Sequence, residues 1–381
     1  MCGEELDRVR EAFTTNWLST VGPNLTALEE RFTNLLGRPS LAIASGTAGL
    51  HLALRLVGVG PGDEVVSPTL TFVASCNPIL YEGARPVFLD SDRSSWNLDP
   101  QRFAEFVRLR ARAGRLPKAV VVVHLFGQPA DMDPVLATCR EYGIAVVEDA
   151  AEALGALYRG RLVGTLGDIG VFSFNGNKVI TATSGGLLVA PGQEAIRRAR
   201  HWSTQACDPD PLRNYLHSEI GYNYRMSNVL AGIALGQLEV LDLRVQQRRA
   251  VFERYRSAFA DLPGFEPQPE ARYGTKDQGP GTKDEGPASL HTRWLSCFLV
   301  DETRFGMSAA DLIRWLEAAN VESRPVWKPM HTQPLYRGYE CVGGAVAEDL
   351  NQRGICLPSS SSLSEAEQAF VIERVRAAHF R

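Results

Sequence analysis

The chain is predicted to be an α/β protein: a large domain with a mostly parallel sheet between helices, then a smaller α+β domain. Two observations carry this. Over the first two thirds, short runs that are apolar throughout alternate with stretches of helical periodicity, as strands covered on both faces do. The last third instead mixes short apolar runs with helix-start signals, the texture of a smaller mixed domain.

Taken in order, the first clear helix follows Ser45-Gly46-Thr47, where Leu50, Ala53, Leu54 and Val57 fall on one face. The glycine-rich Gly58-Val59-Gly60-Pro61-Gly62 comes after that helix instead of before one, so it reads as a turn and not as a nucleotide fingerprint. Strands are expected at Glu64–Ser67, Ala119–His124, Ile144–Glu148, Ile169–Phe174 and Gly186–Ala190, with room for crossover helices such as Pro134–Tyr142. A long helix from about Asn228 to Phe259 leads out of the sheet. The domains are therefore placed at residues 1–244 and 245–381. In the second, a strand is expected at Trp294–Val300, and Ser308 with Asp311 and Ser364 with Glu367 have capping-box spacing. Gly274–Pro280 (GTKDQGP) and Gly281–Pro287 (GTKDEGP) form a tandem repeat. Its Gly, Pro and charge cannot bury enough apolar area to order it, so residues 268–290 are expected to be a mobile surface insertion with no catalytic part.

Composition narrows the function. With 381 residues, 44% hydrophobic and 22% charged, the chain can bury a full core. A formal net charge of -4 gives no field that draws nucleic acid or an anionic membrane. Seven scattered cysteines without a CxxC pair signal neither a disulfide framework nor a metal site, and no metal is expected. The charged first residues do not form a signal peptide, and no apolar run has the length of a membrane helix. A cytoplasmic enzyme is expected.

Three segments carry chemistry. Lys178 sits just past a buried strand in Val171-Phe-Ser-Phe-Asn-Gly-Asn-Lys178, ahead of Thr183-Ser-Gly-Gly186. Desolvation there would favour the neutral amine that Schiff-base chemistry needs, although a solvated surface charge is the commoner fate of such a lysine. Asp149 closes the apolar run Ile144-Ala-Val-Val-Glu-Asp149, where open α/β sheets place ligands. A protonated ring nitrogen would be its partner, and a plain helix cap is the alternative. Ala44-Ser45-Gly46-Thr47-Ala48 opens a helix and offers backbone N–H groups to a phosphate, or is only an N-cap.

Together these segments resemble the DegT/StrS family of nucleotide-sugar aminotransferases, which are fold-type-I pyridoxal-phosphate enzymes. The likeness runs along nearly the whole chain. It includes ASGTAGLHLAL (44–54), PGDEVVSPTLTFVAS (61–75), HLFGQPADM (124–132), EDAAEALGA (148–156), SFNGNK (173–178), HSEIGYNYRMSN (217–228) and SRPVWKPMH (323–331). The resemblance implies that Lys178 carries pyridoxal 5'-phosphate as a Schiff base and that Asp149 pairs with its pyridine nitrogen. It implies that Phe72 stacks on the ring, that Glu152 lies near the ring hydroxyl, and that Ser173, Gly46 and Thr47 hold the phosphate. Asn223 resembles an asparagine that reaches the cofactor phosphate of a neighbouring subunit, which implies a homodimer with shared active sites. Asn16, Trp17, Ser19, Lys328 and His331 are implied substrate contacts, with Trp327 and His331 equally able to be packing residues. Arg225 and Arg324 are both candidates for the carboxylate of the amino donor, L-glutamate. Within the family the motifs look most like enzymes that aminate C4 of UDP-linked 4-keto-6-deoxy-N-acetylhexosamines. Amination at C3 and a non-catalytic regulatory homologue are the competing readings. Relatives that dehydrate their sugar carry histidine at the lysine position, where this chain has Lys178.

Overall fold

The structure is a computed structural model that describes residues 1–212, 214–273 and 289–379. The tandem repeat lies outside the described residues. In chain order the first strands are β1 (Ser40–Ile43), β2 (Glu64–Pro68), β3 (Arg85–Leu89), β4 (Ala119–Val123) and β5 (Ala145–Asp149). A small hairpin follows, β6 (Leu157–Tyr158) and β7 (Arg161–Leu162), and then β8 (Ile169–Ser173) and β9 (Gly186–Val189). The last third holds β10 (Phe265–Pro267), β11 (Ser296–Val300), β12 (Arg324–Pro325), β13 (Cys341–Val342) and β14 (Gly354–Leu357).

Eight of these form one sheet in the order β1-β9-β8-β5-β4-β2-β3-β13. Every pairing is parallel except those of β9, which runs antiparallel to both β1 and β8. Helices cover both faces, so the middle strands are apolar throughout: β4 reads Ala-Val-Val-Val-Val and all five residues are buried. The carboxyl ends of β1, β4, β5 and β8 gather along one edge. The reversal of β9 returns Ser184, Gly185 and Gly186 to that same edge, where Gly185 bridges Ser45. Gly186 cannot carry a side chain here, because a Cβ would lie 2.7 Å from the Phe172 carbonyl oxygen and 2.8 Å from the Gly46 nitrogen.

The expected long helix is two helices, Asn228–Leu238 and Leu241–Ala258. The break falls where the surroundings change. The first helix is buried on nearly all sides against the Glu4–Thr14 and Pro23–Leu36 helices, and at Gly236 an added Cβ would lie 3.0 Å from Glu5. The second is polar outside and lays Val251, Phe252 and Tyr255 on the small sheet. That sheet has the order β10-β11-β14-β12. Its core is aromatic, with Phe265 stacked on Phe298 at 5.0 Å between ring centroids.

Of the two expected capping boxes, the second forms in full and the first only in half. The Asp311 N–H donates to Ser308 Oγ at 3.1 Å at the start of the Ala309–Glu317 helix. At the last helix the exchange is reciprocal, Glu367 N–H to Ser364 Oγ and Ser364 N–H to Glu367 Oε2. The last third is not confined to the small sheet, since β13 pairs parallel with β3 at the edge of the large one. No helix among the described residues is long and apolar enough to cross a membrane.

Candidate active site

At the carboxyl edge of the large sheet, a cavity of about 270 Å³ opens between the two sheets. Asp149 enters it from the last position of β5, and Lys178 from the turn after β8. Asp149 is buried, and its carboxylate is oriented at both oxygens: Ser75 Oγ donates to Oδ2 at 2.6 Å, and the Ala151 N–H donates to Oδ1 at 3.1 Å. Thr71 Oγ1 lies 2.7 Å from Ser75 Oγ, which extends the chain of hydroxyls. These contacts fix the direction in which the carboxylate points.

The Lys178 side chain is 12% exposed. Its Nζ lies 4.0 Å from the centroid of the Trp294 ring and 3.9 Å from Glu152 Oε1. Burial holds the amine below the ordinary lysine range; Glu152 and Asp149 oppose that shift and Arg248 adds to it. Burial likewise pushes the Glu152 carboxyl above the ordinary carboxylate range, against the pull of Lys178 and of the Phe126 N–H. Both shifts run toward the neutral forms, the direction that favours a nucleophilic amine. Glu152 is fixed by the Phe126 N–H at 2.8 Å and by Trp327 Nε1 at 3.3 Å.

At the other end of the cavity is the N-terminus of the Gly46–Leu56 helix, with Ser45 as its cap accepting from the Ala48 N–H at 3.1 Å. Gly46, Thr47, Ser173, Asn175 and Ser184 surround it. A Cβ on Gly46 would come within 3.1 Å of Ser173 Cβ, so the helix end approaches β8 closely. Phe72, 48% exposed, forms one wall and sits 5.3 Å from Trp327 between ring centroids.

A buried anion, a desolvated amine, an aromatic wall and a helix N-terminus with hydroxyls fit the pyridine nitrogen, aldehyde, ring and phosphate of pyridoxal phosphate in turn. The structure thus brings together Lys178, Asp149, Glu152, Phe72, Ser173, Gly46 and Thr47. Sequence reasoning missed Ser75 and Trp294. Ser75 lay inside a motif already singled out, three residues after Phe72. Trp294 carried no local signal; it reaches Lys178 only through tertiary contact.

The other sequence candidates lie elsewhere. Asn16, Trp17 and Ser19 are exposed just after the first helix, and Asn223 is exposed on a segment bridged to Thr204. Lys328 and Arg324 line an adjoining cleft of about 1250 Å³, where Arg324 pairs with Glu322 at 2.6 Å. His331 is engaged at both ring nitrogens, Nδ1 with Thr69 Oγ1 at 2.7 Å and Nε2 with Glu348 Oε1 at 3.0 Å. Arg225 sits beside Arg200 in a separate small pocket. Among the described residues, no arginine lines the Lys178 cavity.

The chain is similar to known proteins along nearly its whole length. Residues 1–376 match the DegT/DnrJ/EryC1/StrS aminotransferase family. The EpsN protein of Bacillus subtilis is 45% identical over 379 residues, covering 98% of this chain and 92% of the relative. GDP-perosamine synthase of Caulobacter vibrioides is 38% identical over 379 residues, covering 99% and 94%. Among solved structures, the aminotransferase TlmJ from Streptoalloteichus hindustanus is 31% identical and superposes with a TM-score of 0.86, covering 98% of this chain and 95% of that one.

Proposed function

We propose a C4 sugar amination for this chain, which belongs to the DegT/DnrJ/EryC1/StrS aminotransferase family and is a pyridoxal-phosphate-dependent sugar aminotransferase. The proposed reaction moves an amino group from L-glutamate to the C4 keto carbon of a nucleotide-linked 4-keto-6-deoxy sugar. The observation that carries it is the shared cavity of Lys178 and Asp149, with the amine desolvated and the carboxylate held at both oxygens.

Bound pyridoxal phosphate supplies an electron sink for the carbanion that forms when an amine loses its α-proton. The chain's own residues do the rest. Lys178 is assigned to anchor the cofactor and, once displaced, to carry the proton from the donor's Cα as general base and return it as general acid. Asp149 holds the proton on the ring nitrogen, and Ser75 holds Asp149. Glu152 would hold the phenolic side of the ring, and Phe72 and Trp327 would supply an aromatic wall of its cavity. Ser45, Gly46, Thr47 and Ser173 take the phosphate.

Asn16, Trp17, Ser19 and Asn223 are proposed to serve the cavity of a second copy. Their exposure supports this reading, as do the neighbouring exposed apolar side chains Leu6, Phe13, Leu18 and Val21. Lys328 and His331 are proposed to border the sugar nucleotide's path.

The nucleotide is proposed as UDP from the motif likeness. GDP is the second reading, favoured by the GDP-perosamine synthase relatives from Caulobacter vibrioides and Escherichia coli O157:H7. The test is incubation with glutamate and a panel of UDP- and GDP-linked 4-keto and 3-keto sugars, followed by product mass and position of the new amine by NMR. Amination at C3, or no amination of any nucleotide-linked sugar, would overturn the proposal.

A further inference from the structure

We propose that Arg248 is a positioning residue for Lys178: its guanidinium grips the backbone carbonyls of Lys178 and Trp294 together and so holds the amine over the indole face. The inference rests on the reading of Lys178 as the cofactor lysine. Arg248 projects from the Leu241–Ala258 helix and is 8% exposed. Its Nη1 donates to the Trp294 carbonyl at 2.6 Å and to the Ser359 carbonyl at 3.1 Å, and its Nη2 donates to the Lys178 carbonyl at 3.3 Å.

A buried guanidinium is costly unless an anion or a full set of acceptors compensates it. Here three carbonyl dipoles compensate Nη1 and Nη2, while the buried Nε has no acceptor among the described residues. Burial, and after it the like charge of Arg244, brings the guanidinium down to about 10. A strut that only joined the helix to the small sheet would need the Ser359 carbonyl alone. The other two carbonyls belong to the two residues whose side chains meet, Lys178 and Trp294. Trp294 is pinned once more, since its Nε1 donates to the Asn177 carbonyl at 2.6 Å. The turn carrying Lys178 therefore cannot swing from the indole without breaking bonds on both sides. Among the charges that act on the amine, Glu152 and Asp149 favour its protonated form and Arg248 opposes them.

The test compares wild type, Arg248→Met and Arg248→Lys. In the cofactor-free protein, Lys178 is modified with acetic anhydride across a pH series and mapped by peptide mass, with the exposed Lys118 as internal reference. Loss of the nearby cation in Arg248→Met is expected to raise the Lys178 midpoint by about one pH unit, with Lys118 unmoved. Arg248→Lys keeps a charge but cannot span two carbonyls, so in the holoenzyme kcat is expected to fall roughly 10-fold while KM for glutamate stays within about two-fold. An unshifted midpoint in Arg248→Met, or wild-type kcat in Arg248→Lys, overturns the proposal; the second measurement decides alone if the methionine variant does not fold. Borohydride reduction of the holoenzyme separates the two readings. Should it mark another lysine, the cofactor assignment falls, whereas the acetylation midpoints report on Arg248 and Lys178 regardless.

Discussion

Trp294 presents its ring face to Lys178 Nζ at 4.0 Å while its own N–H is tied to the carbonyl of Asn177, the residue before the lysine. One indole thus both receives the amine and braces the turn that carries it. Trp294 is 1% exposed, so Trp294→Ala is expected to cost about 3–5 kcal/mol of stability. Trp294→Phe keeps a ring face and loses the N–H, at an expected cost of about 1–2 kcal/mol. Urea unfolding followed by circular dichroism distinguishes the two.

Replacing Lys178 by arginine keeps a long basic side chain but removes the nucleophilic amine. Turnover is expected to fall by about 10³-fold or more, as for loss of a positioned proton-transfer group. The check is amine transfer in a coupled glutamate assay. A variant that retained wild-type turnover would remove Lys178 from the chemistry.

Asp149→Asn is expected to lower turnover far more than cofactor retention, because the contacts at the helix N-terminus survive. Ser75→Ala is the subtler change. It removes a hydrogen bond to the ionised carboxylate, worth about 1.5–3 kcal/mol. With Oδ2 no longer held, kcat is expected to fall at least about 10-fold. Wild-type kcat in this variant counts against the pairing.

Beneath Asp149, the fully buried Glu148 accepts from His124 at 3.0 Å and from the N–H groups of Gly164, Leu166 and Gly167. Burial alone would raise its carboxyl, but His124 and the backbone donors outweigh it and hold the folded-state value below the ordinary range. A carboxyl depressed on folding stabilises fully above its unfolded pKa, and the contribution is lost as pH falls through the folded value. Stability should therefore decline from the ordinary carboxylate range downward. Glu148→Gln should cost about 3–5 kcal/mol near neutrality and flatten that decline. Calorimetry of both proteins across the acidic range measures it.

Much of this was legible in the order of residues. Apolar runs such as Val120-Val-Val-Val123 can only be strands covered on both faces, and Ser364 with Glu367 announces a helix start by local chemistry alone. Asp149 and Lys178 stood out because one ends a buried strand and the other lies just past one, on the edge where α/β sheets hold ligands. Arg248 and Trp294 were silent, since their meaning lies in partners 70 and 117 positions away in sequence. The break after Leu238 was hidden for a related reason: helical periodicity continues through it, and only the change of neighbours bends the chain. His331 shows the converse, a residue picked by motif whose ring is engaged by Thr69 and Glu348 in the folded chain.

The two-residue strand β13 has a bearing on how the protein is made. Emerging from the ribosome, the polypeptide can assemble most of its principal sheet early, yet the outer flank of β3 stays bare until Cys341 and Val342 arrive. An uncovered strand flank invites association with other nascent chains. Translation stalled or truncated short of Val342 would therefore be expected to yield a product that clumps.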